Sequence, residues 1–157
     1  MSQSAQQTPP VTKKEIGGWA FFDFANSSYV TVVITVIYAP FFAEYIVPAE
    51  SGLRTTYWSL AIALSTLIAL TMAPLVGSVC DLSGSKKKYL IGTTLFCSFA
   101  TMLLTTVGRG DVALAVFLVA ISYASFMLSE SFCGAFLTDI ATPKNMGVIS
   151  GIGWGVG

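Results

Sequence analysis

The chain has 157 residues, 54% of them apolar and only 10% charged, with a mean hydropathy of +0.74. Soluble domains carry roughly 25% charged residues, so an ordinary soluble domain is excluded and a membrane protein is indicated. Eight basic residues balance eight acidic ones, which leaves no electrostatic ground for nucleic acid as a partner.

Residues 1–15 read as a disordered tail, polar and interrupted by Pro9 and Pro10. The first apolar run starts too late and runs too long for a cleavable signal, so it is expected to insert and stay. Lys13 and Lys14 precede Trp19, which is placed as an interfacial anchor. The first crossing is expected over 24–47. At 100° per residue, Asp23, Asn26, Ser27, Thr31 and Tyr38 fall within about 140°, a polar stripe on an apolar helix. Asp23 sits at its mouth. Pro40 predicts a kink near the far end, and Glu44 follows one turn later, near the outer interface.

Two uncharged runs, 57–78 and 89–107, give the second and third crossings, each long enough at about 1.5 Å per residue for a hydrocarbon core of about 30 Å. Pro74 predicts a kink in the second. Between them lies a short turn, residues 77–88, with Gly77, Asp81, Gly84, Lys86, Lys87 and Lys88. Gly108, Arg109, Gly110 and Asp111 make a tight outer turn, with Asp111 placed to cap the next helix. The fourth crossing, 112–136, carries Ser122, Ser125, Ser129 and Cys133 on one face, which reads as helix-packing glue, with Glu130 about 80° round from Ser122. After an inner loop at 138–145, a fifth apolar stretch, 146–157, holds Gly147, Gly151 and Gly155 at intervals of four. That spacing predicts close helix packing in lipid.

The fold expected is all-α, a polytopic transmembrane helix bundle of about four and a half helices filling 16–157. Lys13, Lys14, Lys86, Lys87, Lys88 and Lys144 fall in the odd-numbered connections, and Arg54 and Arg109 in the even ones. That bias predicts a cytoplasmic amino terminus. A fifth helix stopping at Gly157 predicts an amino-terminal piece of a longer protein. Cys80, Cys97 and Cys133 have no metal or disulfide spacing and read as small core residues. The chain has no histidine. No metal site, catalytic residue or cofactor is expected. The zinc-protease His-Glu-x-x-His, the hydrolase Gly-x-Ser-x-Gly and paired intramembrane aspartates are all missing from the sequence, which argues against an enzyme.

The spacing of Gly77, Asp81, Gly84, Lys86 and Lys87 resembles the loop between the second and third helices of major facilitator superfamily transporters. Gly18-Trp19-Ala-Phe-Phe-Asp23-Phe-Ala25-Asn26-Ser27 is similar to the first helix of the fungal vacuolar amino-acid effluxers and their bacterial relatives. The stretch from Phe136 and Asp139 through Pro143 and Gly147 to Trp154 is similar to that family's passage from helix four to helix five. The chain departs from the superfamily loop at Leu82 and Ser85, where basic residues are usual, and lacks the arginine common in the fourth helix of proton-coupled members.

The resemblance implies twelve helices in two six-helix halves around a midplane site, of which this chain would supply part of the amino-terminal half. It implies a secondary active permease working by alternating access on a small polar solute, with amino acids the first candidates and a proton as coupling ion. Gly77, Asp81, Gly84, Lys86 and Lys87 would form a gating loop in which Asp81 caps or salt-bridges a neighbouring helix end. Asp23, Asn26, Ser27 and Glu130 would line the pathway or carry the coupling proton. Expected partners are the lipid bilayer, the solute and the proton, with no nucleic acid. The expected location is the plasma (inner) membrane if the protein is bacterial and the vacuolar membrane if it is fungal. The alternative is a non-transporting membrane scaffold or assembly subunit that packs through the glycine rows.

Overall fold

The computed structural model describes residues 11–142 and 145–156, with side chains described throughout these except at 79–83, 154 and 156. The described residues are helical with short links and contain no strand. Four helices, Lys13–Ile46, Arg54–Ser78, Lys86–Thr106 and Val112–Ile140, are long and apolar enough to cross a membrane.

Helix α1 is the continuous rod Lys13–Ile46. It begins well before 24 and inside the expected tail, because Thr12 and Glu15 form a capping box. The Glu15 carboxylate accepts from the Thr12 backbone N–H at 2.7 Å, and Thr12 Oγ1 accepts from the Glu15 N–H at 3.3 Å. Farther along, the rod widens into π-helix over Tyr29–Tyr38 and again over Phe42–Ile46. The residues explain the widening. Every position from Val30 to Ile37 is valine, isoleucine or threonine, and β-branched side chains crowd the i+3 and i+4 neighbours of an α-helix. A wider turn separates them. Pro40 falls in the short α-turn Ala39–Phe41 between the two wide stretches and does not end the rod.

The polar stripe expected of α1 loses one member. Asp23, Asn26 and Ser27 are half-buried and Tyr38 is buried, but Thr31 is exposed, since the 100° step holds only for α-helix. The inward residues of the outer half are instead Ile34, Tyr38, Phe42 and Ile46, four apart and 6% exposed or less. The Tyr38 hydroxyl is buried without a hydrogen-bond partner among the described residues, a penalty of about 1–3 kcal/mol.

Helix α2 (Arg54–Ser83) and helix α3 (Lys86–Leu103, continued as a 3₁₀ turn Leu104–Thr106) are separated by only Gly84 and Ser85. Gly84 closes α2 with φ +60°, a conformation suited to glycine. Gly77 does not belong to this turn. It lies inside α2, and a Cβ there would meet nothing within 4 Å. The side chains of Asp81 and Cys80 lie outside the described residues, as does Lys144 altogether.

At the opposite end, the Gly110 N–H donates to the Ile46 carbonyl at 2.9 Å, which ties the end of α1 to the link after α3. Asp111 precedes helix α4 (Val112–Ile140), but its side chain makes no cap bond to that helix. It turns back and accepts from the Gly108 N–H at 3.1 Å.

Helix α4 is the central post, with 61% of its apolar stretch buried against 17–22% for the other three spans. Alanine and serine make this possible, because small side chains let neighbouring backbones approach. Ser122, Ser125, Ser129 and Cys133 are all buried there. The apolar core gathers Ile34, Phe42, Ile46, Ala61, Leu104, Val107, Val116 and Val119 toward the end with the Gly110 tie.

Helix α5 (Met146–Val156) packs chiefly on α1. The glycine at that contact is Gly153, where an added Cβ would lie 2.7 Å from the Trp19 ring. At Gly147, Gly151 and Gly155 an added Cβ would meet nothing within 4 Å. Among the described residues, the row predicted to pack makes no close contact. Gly153 stands two positions on from Gly151, and two steps turn a helix face by about 200°.

Candidate functional site

The end of the bundle away from the apolar core is polar. There α1, α4 and α5 surround a cleft of about 410 Å³ lined by Trp19, Asp23, Ser27, Glu130, Ser150 and Gly153, among others. Asp23 is ten residues from the start of α1, and Glu130 ten residues from the end of α4. At about 1.5 Å per residue both carboxylates lie roughly 15 Å inside their helix ends.

A hydrogen-bonded chain links this cleft to α3. Asn26 Nδ2 donates to Glu130 Oε2 at 3.0 Å, and Asn26 Oδ1 accepts from Ser129 Oγ at 3.5 Å, the weak link. Ser129 Oγ in turn lies 2.9 Å from Thr94 Oγ1. The amide of Asn26 thus uses both ends, one toward the carboxylate and one toward the buried serine. Asn26 also borders a second cleft of about 340 Å³, between α1 and α3, with Tyr29, Thr94 and Ser98. Asp23 has a thinner set of partners, with Cys133 Sγ 3.7 Å from its Oδ1. Ser27 lines the cleft.

Trp19 does more than anchor an interface. Its indole N–H donates to the Cys133 carbonyl at 2.8 Å while its ring rests against Gly153, so one side chain joins α1, α4 and α5 behind Asp23. Deeper, the Tyr29 hydroxyl donates to Ser122 Oγ at 2.8 Å and its ring stacks on Phe126 at 5.3 Å. Ser122 and Ser129 of α4 thus serve as contact points for α1 and α3.

Of the loop residues, Gly77, Gly84, Lys86 and Lys87 do not line this cleft. Lys86 Nζ lies 2.8 and 3.0 Å from the two oxygens of Asp139, in the last turn of α4. This pair links the α2–α3 turn to the end of α4; the side chain of Asp81, the acid expected to link this loop, lies outside the described residues. Lys87 and Lys88 are exposed beside it. Sequence reasoning passed over Asp139, Trp19 and Thr94 as working residues. The first two lie within the stretches that carry the family resemblance, which was the available signal. Thr94 had none.

Each of Lys86 and Asp139 stands against the dipole of its own helix, a cation at an N-terminus and an acid at a C-terminus. Pairing offsets both penalties. With side chains 26% and 47% exposed, the net contribution to stability is about 0–1 kcal/mol.

Residues 53–147 match the family described as vacuole effluxer Atg22 like, a stretch that takes in α2, α3, α4, Glu130 and the Lys86–Asp139 pair. An uncharacterized MFS-type transporter of Bacillus subtilis (strain 168), YxiO, is 31% identical over 150 residues, which cover 93% of this chain and 34% of the relative. The chain therefore spans about a third of the length of the curated relative it matches. No solved structure matches.

Proposed function

From the premise that this chain belongs to the family of Atg22-like vacuole effluxers, we propose that it forms part of a secondary transporter that moves a small polar solute across a membrane by alternating access. Amino acids are the first solute class to test, and protons the coupling ion. The observation that carries the reading is the placement of Asp23 and Glu130 in one cleft, with Asn26 bonded to the second carboxylate. An ionisable group within a membrane helix is costly and marks a functional site by default. Two carboxylates brought to one cleft are more than packing requires.

In this mechanism the cleft between α1, α4 and α5 opens toward the end carrying Lys13, Lys14, Lys86, Lys87 and Lys88, which is the cytoplasmic side by the charge bias. A carboxylate pair suits the ammonium group of an amino acid and can exchange a proton with water entering the cleft. Asn26 holds Glu130 in orientation, so protonation of Glu130 would change what Asn26 and Ser129 bond to. The Lys86–Asp139 pair would hold the α2–α3 turn against α4 in one state and release it in another, with Asp81 a further candidate for that latch. The whole transporter would have twelve helices, as the resemblance implies.

The test is uptake of labelled amino acids into proteoliposomes holding the full-length protein, with and without a pH gradient. Gradient-driven uptake is expected. Glu130→Gln should remove the response to the gradient but keep solute exchange, because a glutamine oxygen still accepts from Asn26. No flux for any amino acid under any gradient overturns the reading.

A further inference from the structure

Three observations on α1 belong together. The β-branched run from Val30 to Ile37 coincides with the π-helical stretch Tyr29–Tyr38. Ile34, Tyr38, Phe42 and Ile46 all face inward at intervals of four, although at about 100° per residue three such steps would leave Ile46 about 120° from Ile34. The wide register is what keeps the outer half of α1 in the core. Lastly, the Tyr38 hydroxyl, at the end of that stretch, is buried with no partner among the described residues, so the arrangement that packs the outer half also leaves a polar atom unpaired.

We infer that α1 is a register switch: its middle stretch converts between the wide form and ordinary α-helix, and the conversion turns the inner half of the helix about its own axis. The outer half is held by Phe42 against Trp58 (ring centroids 5.4 Å apart) and by the Ile46–Gly110 hydrogen bond. The inner half is held by the Trp19 ring on Gly153 and by single polar contacts of Trp19, Asp23 and Asn26. Recovering one residue of register turns a helix by about 100°. The half that turns is therefore the one carrying Asp23 and Asn26, which would swing out of the cleft with Glu130.

The use of this turn in transport rests on the function proposed above, but the turn itself does not. Spin labels read it without any solute. In full-length protein with Cys80, Cys97 and Cys133 replaced by alanine, one pair of labels goes on Phe24→Cys and Leu95→Cys, at exposed positions of the inner halves of α1 and α3. A second pair goes on Tyr45→Cys and Met102→Cys, also exposed, nearer the outer end. Replacing the exposed residues Val32, Val36 and Ile37 with leucine removes β-branching and favours α-helix.

The expected result is a shift of several ångströms in the inner pair, up to about 8 Å for a label turned on a helix about 11 Å across, with the outer pair unmoved. Tyr38→Phe removes the unpaired hydroxyl and should do the reverse, holding the inner distance at the wild-type value and raising the melting temperature. If the leucine protein leaves the inner distance unchanged, or moves both pairs alike, the switch is wrong. A protein that shows the shift but takes up no amino acid would keep the switch and lose the transport reading.

Discussion

Asn26 shows why single residues matter at this depth. A half-buried amide whose two ends meet a carboxylate and a serine keeps Glu130 oriented, and its value depends on partners 104 and 103 positions away. Trp19 is the second such residue, and it can be tested apart from transport. Trp19→Phe keeps a ring against Gly153 but removes the donor to the Cys133 carbonyl, and should cost about 0.5–1.5 kcal/mol. Gly153→Leu drives a side chain into a ring that an added Cβ would already meet at 2.7 Å, and should cost about 1–3 kcal/mol. Thermal melting in detergent measures both. If Gly153→Leu melts with the wild type, the α1–α5 contact is not close packing. Gly151→Leu serves as control, because a Cβ there meets nothing within 4 Å.

Among the elements, α4 and the turn between α2 and α3 reward comparison. The serines of α4 could be placed on one face from their spacing alone, and that face is buried, because four residues of α-helix bring a side chain back to nearly the same direction. The loop was less legible. Gly77 and Gly84 look alike in the motif, yet only Gly84 adopts positive φ, and Gly77 is an ordinary helical position. The Lys86–Asp139 pair yields a prediction about orientation. Exchanging the charges, Lys86→Asp with Asp139→Lys, keeps the pair and places each charge where its helix dipole favours it. The double variant should melt at or above the wild-type temperature, while each single variant falls by an amount equivalent to about 1 kcal/mol or less. A double variant less stable than both singles would show that the dipoles do not govern this pair. Loss of uptake in a stable double variant would place the wild-type orientation in the gating mechanism.

For the whole molecule, the helices pass back and forth so that the Gly110–Ile46 tie and the Lys86–Asp139 pair mark opposite ends. The apolar core crowds the first end and the polar cleft occupies the second. If the lysine-bearing end faces the cytoplasm, a cysteine from Glu50→Cys, in a cysteine-free background, should react with an impermeant maleimide applied to intact cells. One from Ser85→Cys should not. The reverse pattern would turn the molecule over and put the cleft on the other side.

Composition and order along the chain determined that this is an all-helical membrane protein, roughly where its rods run, and that its lysines collect at one end. Hydropathy and charge are sums over neighbours in sequence, so no folding need be known to read them. The pairing of Asp139 with Lys86, the glycine that receives Trp19 and the register of α1 were decided only in three dimensions. Each depends on what a distant helix presents, and in α1 the crowding of side chains changed the helical step on which the sequence arithmetic relied.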